Sequence, residues 1–178
     1  MRPTSSRVRE AIFDILGQRC DGDAVLDLYA GAGTLGLEAL HRGARSLVAV
    51  ERDREALRAL DANIEKADLA DAVRVARGEV AEVLGRLAGE GLVFDLIFAD
   101  PPYDRGEVDG LIDGLSGGPL LADEGVIVVE HSPRERGPDQ KDDLRRIDER
   151  RYGQTHVSFF ARRIQEPPTQ PLQEGNQR

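Results

Sequence analysis

The stretch Asp27-Leu28-Tyr29-Ala30-Gly31-Ala32-Gly33-Thr34-Leu35-Gly36 decides the fold. A short apolar run, Ala24 to Tyr29, leads into it, and Leu35 to Leu40 leaves it with helical spacing. An apolar run of that length ending in a glycine-rich turn reads as a buried parallel strand handing over to a helix. Downstream the alternation repeats. Leu47 to Val50 is a strand closed by Glu51, then Ala56, Leu57, Leu60 and Ile64 mark a helix, and Val73 to Ala76 is a third strand. Val80, Val83, Leu84 and Leu87 form the next helical stripe, and Phe94 to Ala99 is a strong fourth strand. Val108, Leu111, Ile112 and Leu115 form another stripe before a fifth strand, Val126 to Val129. Upstream, Val8, Ala11, Ile12, Ile15 and Leu16 share one helical face behind the capping residues Thr4, Ser5 and Ser6.

Strand and helix alternate with crossovers long enough for parallel pairing, which predicts a doubly wound, mostly parallel α/β sheet with helices on both faces. Two further strand-like segments, Leu144 to Tyr152 and His156 to Phe160, flank Gly153-Gln154 and suggest a C-terminal antiparallel hairpin, for seven strands in all. One domain over residues 1–163 is expected. Residues 164–178, rich in Pro, Gln and Glu, read as a disordered tail.

The glycines admit two ligand classes. Gly31, Gly33 and Gly36 satisfy G-x-G-x-x-G, and Glu51 lies where a dinucleotide site places a ribose-binding acid. Asp27, just before the glycines, would repel a pyrophosphate at the helix N-terminus. It suits a cationic ligand instead, and S-adenosylmethionine carries a sulfonium, an ammonium and a ribose without phosphate. Glu79 follows the third strand in the same way, where it could accept from an adenine amino group.

Asp100-Pro101-Pro102-Tyr103 ends the most hydrophobic strand. The prolines fix φ and remove backbone donors. The carbonyls of Asp100 and Pro101 and the Asp100 carboxylate remain as acceptors, which suits a flat –NH₂ group with two hydrogens to give. Tyr103 can stack on a planar ring. Accepting both N–H bonds off the ring plane favours a pyramidal nitrogen whose lone pair can attack a methyl group, a reaction accelerated by positioning and electrostatics.

Composition bounds the rest. The chain has 178 residues, 40% hydrophobic and 4% aromatic, enough for one core built from Leu, Val, Ile and Ala. It holds no apolar run of the roughly 18 residues that a membrane span needs, and a cytoplasmic protein is expected. The lone Cys20 excludes an internal disulfide, and His41, His131 and His156 lack metal-ligand spacing, so no metal is expected. A net charge of −9 argues against nucleic acid wrapped over the whole surface. Residues 79–124, however, hold eleven acids against Arg86 and Arg105, which accounts for the whole imbalance. Arg2, Arg7 and Arg9 at the opening helix, and Arg145, Arg146, Arg150, Arg151, Arg162 and Arg163 in the hairpin, are the arginines expected at a nucleic acid.

The segments Arg2 to Glu10, Asp27 to Ala44, Val50 to Asp53, Phe94 to Tyr103, Val129 to Ser132 and Tyr152 to Thr155 together resemble a known family. The chain resembles class I S-adenosylmethionine-dependent methyltransferases acting on amino groups. More narrowly, it resembles the RsmD family of bacterial small-subunit (16S) ribosomal RNA guanine-N2 methyltransferases. The resemblance covers about residues 2–163 and implies a Rossmann-like methyltransferase fold. It implies catalytic roles for Asp100, Pro101, Pro102 and Tyr103, and cofactor contacts from Asp27, Tyr29, Gly31, Gly33, Glu51, Arg52, Glu79, Val80 and Asp100. Substrate contacts fall to Arg2, Thr4, Arg7 and Tyr103. The implied partner is 16S ribosomal RNA, partly or fully assembled into the small subunit, met by a monomer. Family members begin with a further basic segment before the Arg-Pro-Thr motif, whereas this chain opens at the motif, and their third-strand Gly-Asp-Ala is Gly78-Glu79-Val80 here. Three readings compete: an adenine-N6 DNA methyltransferase with the same tetrapeptide, an NAD-dependent oxidoreductase, and a non-catalytic RNA- or ribosome-binding module.

Overall fold

The computed structural model describes residues 6–103 and 105–162. Helix α1 (Ser6–Ile15) precedes the alternating series β1 (Ala24–Leu28), α2 (Thr34–His41), β2 (Ser46–Glu51), α3 (Arg54–Lys66), β3 (Val73–Arg77), α4 (Val80–Gly89), β4 (Phe94–Ala99), α5 (Glu107–Leu115) and β5 (Leu121–His131). Strands β6 (Gln140–Lys141), β7 (Leu144–Tyr152) and β8 (Thr155–Arg162) close the described chain. No helix among the described residues is long and apolar enough to cross a membrane.

The described strands form one sheet in the order β3-β2-β1-β4-β5-β8-β7-β6. The first five pair in parallel, and β8 enters antiparallel between β5 and β7. The sheet has eight strands rather than the expected seven. The addition, β6, pairs Gln140 with Arg145 and Lys141 with Leu144. Two polar residues carry no alternation to read, and the pairing alone makes them a strand. For the same reason β5 begins at Leu121, earlier than its apolar stretch, because Ala122 to Glu124 are not buried.

Alternation along each strand sends its apolar residues to two cores. On one face Leu26, Leu28, Ile97, Ala99, Ile127 and Val129 pack under α4 and α5. On the other Val25, Ala49, Leu96, Phe98 and Val128 pack under α1, α2 and α3. Phe13 of α1 meets Phe98 edge-on at 5.8 Å, seating that helix on the strand before the tetrapeptide. Asp53 caps α3, its side chain accepting from the backbone of Glu55 and Ala56.

Candidate active site

The order reverses between β1 and β4, the switch point at whose carboxyl edge such sheets bind ligands. Register decides what lies there. Asp27 pairs with Ala49 and with Phe98, and Phe98 with Val128. Residues two apart on a strand share a face. Asp27, Glu51, Asp100 and Glu130 therefore form a row on the α1–α3 side of the sheet, across the ends of β1, β2, β4 and β5. Asp27, Glu51 and Glu130 are buried.

Each carboxylate has its own work. Asp27 Oδ2 accepts from Gly36 N–H at 2.9 Å. A Cβ at Gly36 would lie 2.8 Å from both Leu47 methyls and 2.9 Å from that same oxygen, so any larger residue would push those side chains aside. Burial pushes Asp27 up to about 7, with Glu51 adding and the Gly36 hydrogen bond opposing. Glu51 Oε2 accepts from Gly31 N–H at 2.8 Å, and its Oε1 from the N–H groups of Arg52 and Asp53 at 2.7 and 2.9 Å. The acid after β2 thus ties down the glycine turn before it meets any ligand. Gly33, at φ +84°, begins α2 in the left-handed region, as the turn requires.

Asp100 is pushed up to about 8 by burial first, then by the charges of Glu130 and Asp27. Pro101 is buried and Pro102 partly so. Tyr103 remains 39% exposed, and its hydroxyl donates to Glu130 Oε1 at 3.1 Å. Arg52 and Glu79, expected separately at a cofactor, pair with each other at 2.6 Å across the ends of β2 and β3. Tyr29 holds φ +61°, a strained conformation for a tyrosine. Burial and a hydrogen bond to Glu107 raise its phenol. Tyr29 and Val80 border a cavity of about 500 Å³ between α4 and α5, beside the acidic row rather than within it.

Of the expected substrate residues, Arg7 is exposed on α1; Arg2 and Thr4, like Arg163 and the 164–178 tail, lie outside the described residues. The hairpin is less basic in space than in sequence. Arg146 turns inward, its Nη2 donating to the carbonyls of Arg136, Gly137 and Pro138. Arg162 bonds the carbonyls of Leu121 and Gly118 and pairs with Asp143. Arg150 and Arg151 pair with Asp148 and Glu149. An arginine count over residues 144–163 therefore overstates the positive surface, because two of the side chains are structural.

The sequence reading missed three residues at this site. Glu130 could have been found, since like Glu51 it is an acid ending a buried strand. Thr155, whose hydroxyl is 3.3 Å from that of Tyr103, lies in the Tyr152 to Thr155 segment that carries the family resemblance but has no site role there, while Glu107 arrives by packing and leaves no local signal.

Five parallel strands with an antiparallel strand inserted beside the fifth, and acids at the ligand edge, define a class I methyltransferase fold. Comparison narrows the class. Residues 1–161 match the family described as Conserved hypothetical protein 95, and the chain belongs to this family, that of the RsmD methyltransferases. It is 34% identical to YlbH of Bacillus subtilis, named as a candidate rRNA methyltransferase, over 91% of this chain and 88% of that one. It is 37% identical to ribosomal RNA small subunit methyltransferase D of Escherichia coli K12, over 73% of this chain and 64% of that protein. A solved conserved hypothetical protein of Streptococcus pyogenes superposes with a TM-score of 0.81 at 31% identity, covering 88% of this chain and 96% of that one.

Proposed function

We propose that this protein transfers a methyl group from S-adenosylmethionine to the exocyclic N2 of a guanine in 16S ribosomal RNA, within a partly or fully assembled small subunit. The observation that carries the reading is the convergence of Asp27, Glu51 and Asp100 on one face at the switch point, beside an exposed Tyr103.

The donor set fits such a cofactor. Burial, with a further carboxylate beside each, holds the protons of Asp27 and Asp100 above the ordinary carboxylate range, an imbalance that positive charge placed nearby would relieve. A bound sulfonium and ammonium would supply that charge, and the sulfonium supplies an electrophilic methyl. Asp27 and Asp100 are then drawn toward the carboxylate form. The Asp100 carboxylate and the Pro101 carbonyl would accept the two amine hydrogens, leaving the nitrogen lone pair free for the methyl carbon. As the N–C bond forms, the S–CH₃ bond breaks with its electron pair going to sulfur, and the surplus amine proton passes to the Asp100 carboxylate. Tyr103 stacks on the base. Glu51 Oε2 has one acceptor site left for a ribose hydroxyl, and the Arg52–Glu79 pair borders the adenine end.

The NAD reading is disfavoured by the same hydrogen bonds. The N–H groups of Gly31 and Gly36, which a pyrophosphate would need, already donate to Glu51 and Asp27. The adenine-N6 reading is met by assaying assembled small subunits from methyl-deficient cells beside naked duplex DNA. Methyl transfer to the subunits, mapped to guanine N2, is expected; transfer to the DNA alone would overturn the proposal.

A further inference from the structure

Tyr103 sits where a side chain should be loosely held. It follows two prolines, lies in a turn four residues past the end of β4 and keeps 39% of its area exposed. Its phenol tip is nevertheless fixed from two strands that are not its own. Glu130, at the end of β5, accepts the hydroxyl proton at 3.1 Å. Thr155, the first residue of β8, lies 3.3 Å from the same oxygen. The phenol has one proton and gives it to the carboxylate, so the Thr155 hydroxyl donates and the phenol oxygen accepts. The sheet register sets both partners, since Glu130 pairs with Val157 and His131 with His156, leaving Thr155 just past the pairing beside β5. Glu130 is buried and adjoins Asp100, the amine acceptor.

We propose that Glu130 and Thr155 are a positioning pair for Tyr103, holding its ring by the hydroxyl in one orientation so that the face meeting the base is set before the base arrives. This inference rests on the methyl-transfer reading above. A ring already locked does not lose its rotamer freedom on binding, and it places the amine against Asp100 within the tolerance that an in-line transfer demands. The C-terminal hairpin thereby gains a role in the site: it delivers Thr155.

Four single variants and one double test the pair. Tyr103→Phe keeps the ring and removes both bonds. Glu130→Ala removes one acceptor, Glu130→Gln keeps an acceptor oxygen at the same reach, and Thr155→Val removes the donor. With assembled small subunits as substrate, Tyr103→Phe and Glu130→Ala are each expected to lower kcat/KM about tenfold, chiefly through kcat. Thr155→Val lowers it less, and Glu130→Gln recovers most of it. In the Tyr103→Phe background, Glu130→Ala should lose clearly less than in the wild type, because the shared bond is already gone and only the charge that Glu130 places beside Asp100 remains to be removed. The chain has three tyrosines, so Tyr103 is also visible in ¹³Cζ NMR without any turnover; Glu130→Ala should move its resonance and Glu130→Gln leave it nearly in place. Additive losses in the double variant, wild-type kinetics for Tyr103→Phe, or a resonance indifferent to Glu130→Ala would overturn the proposal. A wild-type protein inert on subunits would instead overturn the substrate reading, and the resonance would then judge the pair by itself.

Discussion

Gly31 N–H donates to Glu51 Oε2 at 2.8 Å, across twenty residues and two strands. One carboxylate thus closes the glycine turn from the strand beside it, while its other oxygen holds the backbone that starts toward α3. Replacing it with glutamine should be costly. An amide has one acceptor oxygen, and its –NH₂ would face N–H donors. Glu51→Gln is expected to lose about 1–3 kcal/mol of stability, the usual cost of unsatisfied buried donors, and to weaken S-adenosylhomocysteine binding. Urea denaturation and calorimetry measure the two losses.

Gly36→Ala tests the close approach of α2 to β1. The added methyl would meet both Leu47 methyls and the Asp27 carboxylate at under 3 Å. Overpacking of this kind costs about 1–3 kcal/mol. The variant should also break the Asp27 hydrogen bond, so cofactor affinity is expected to fall with stability in the same titrations.

The raised acids make stability depend on pH in a definite direction. Asp27 at about 7 and Asp100 at about 8 both lie above their unfolded value of 3.8. The folded chain therefore binds protons more tightly than the unfolded one, and the stabilisation is full below the unfolded value and lost as pH rises through the folded values. His131, buried and lowered, acts oppositely but below its ordinary 6.5. Between about pH 4 and 8 these two acids should make the ligand-free protein steadily less stable in chemical denaturation, with His131 opposing the trend below 6.5 and little further loss from them above pH 8. Asp27→Asn or Asp100→Asn should flatten the loss. Binding of S-adenosylmethionine should release protons in the same range, visible as a heat that depends on the buffer's ionisation enthalpy.

Asp100→Ala should abolish turnover. It removes an acceptor at the reacting amine, and loss of one such group costs about 10²–10³ in rate. Cofactor affinity should change by only a few-fold, since Asp27 and Glu51 remain. Single-turnover methylation beside calorimetry separates these quantities; activity near wild type would rule out the proposed role.

Arg146 supports the loop after β5. It donates to three successive carbonyls at 136–138, pairs with Asp139 and lies over the Phe160 ring at 4.8 Å. Arg146→Met should cost about 1–3 kcal/mol and speed hydrogen exchange through residues 133–139 rather than weaken RNA binding selectively. A selective loss of RNA affinity with unchanged exchange would place this arginine at the substrate after all.

Sequence alone determined much of this protein. Apolar runs of four to six residues between helical stripes identified β1, β2 and β4 nearly to the residue, because strands buried on both faces are mostly apolar; the edge strand β3 showed through Val73, Val75 and Ala76 set among Arg74 and Arg77. Polar groups at the ends of those runs, Asp27, Glu51 and Asp100, marked the site, since a charge at the tip of a buried strand has few reasons to be there. Two lone polar residues could not announce β6, which exists by pairing with β7. Nor could the sequence distinguish a surface arginine from Arg146 or Arg162, as only the fold supplies the carbonyls that turn them inward. Tertiary structure alone decided that Glu130 and Thr155 meet at one phenol, for β8 inserts beside β5 and brings together residues that no local pattern connects.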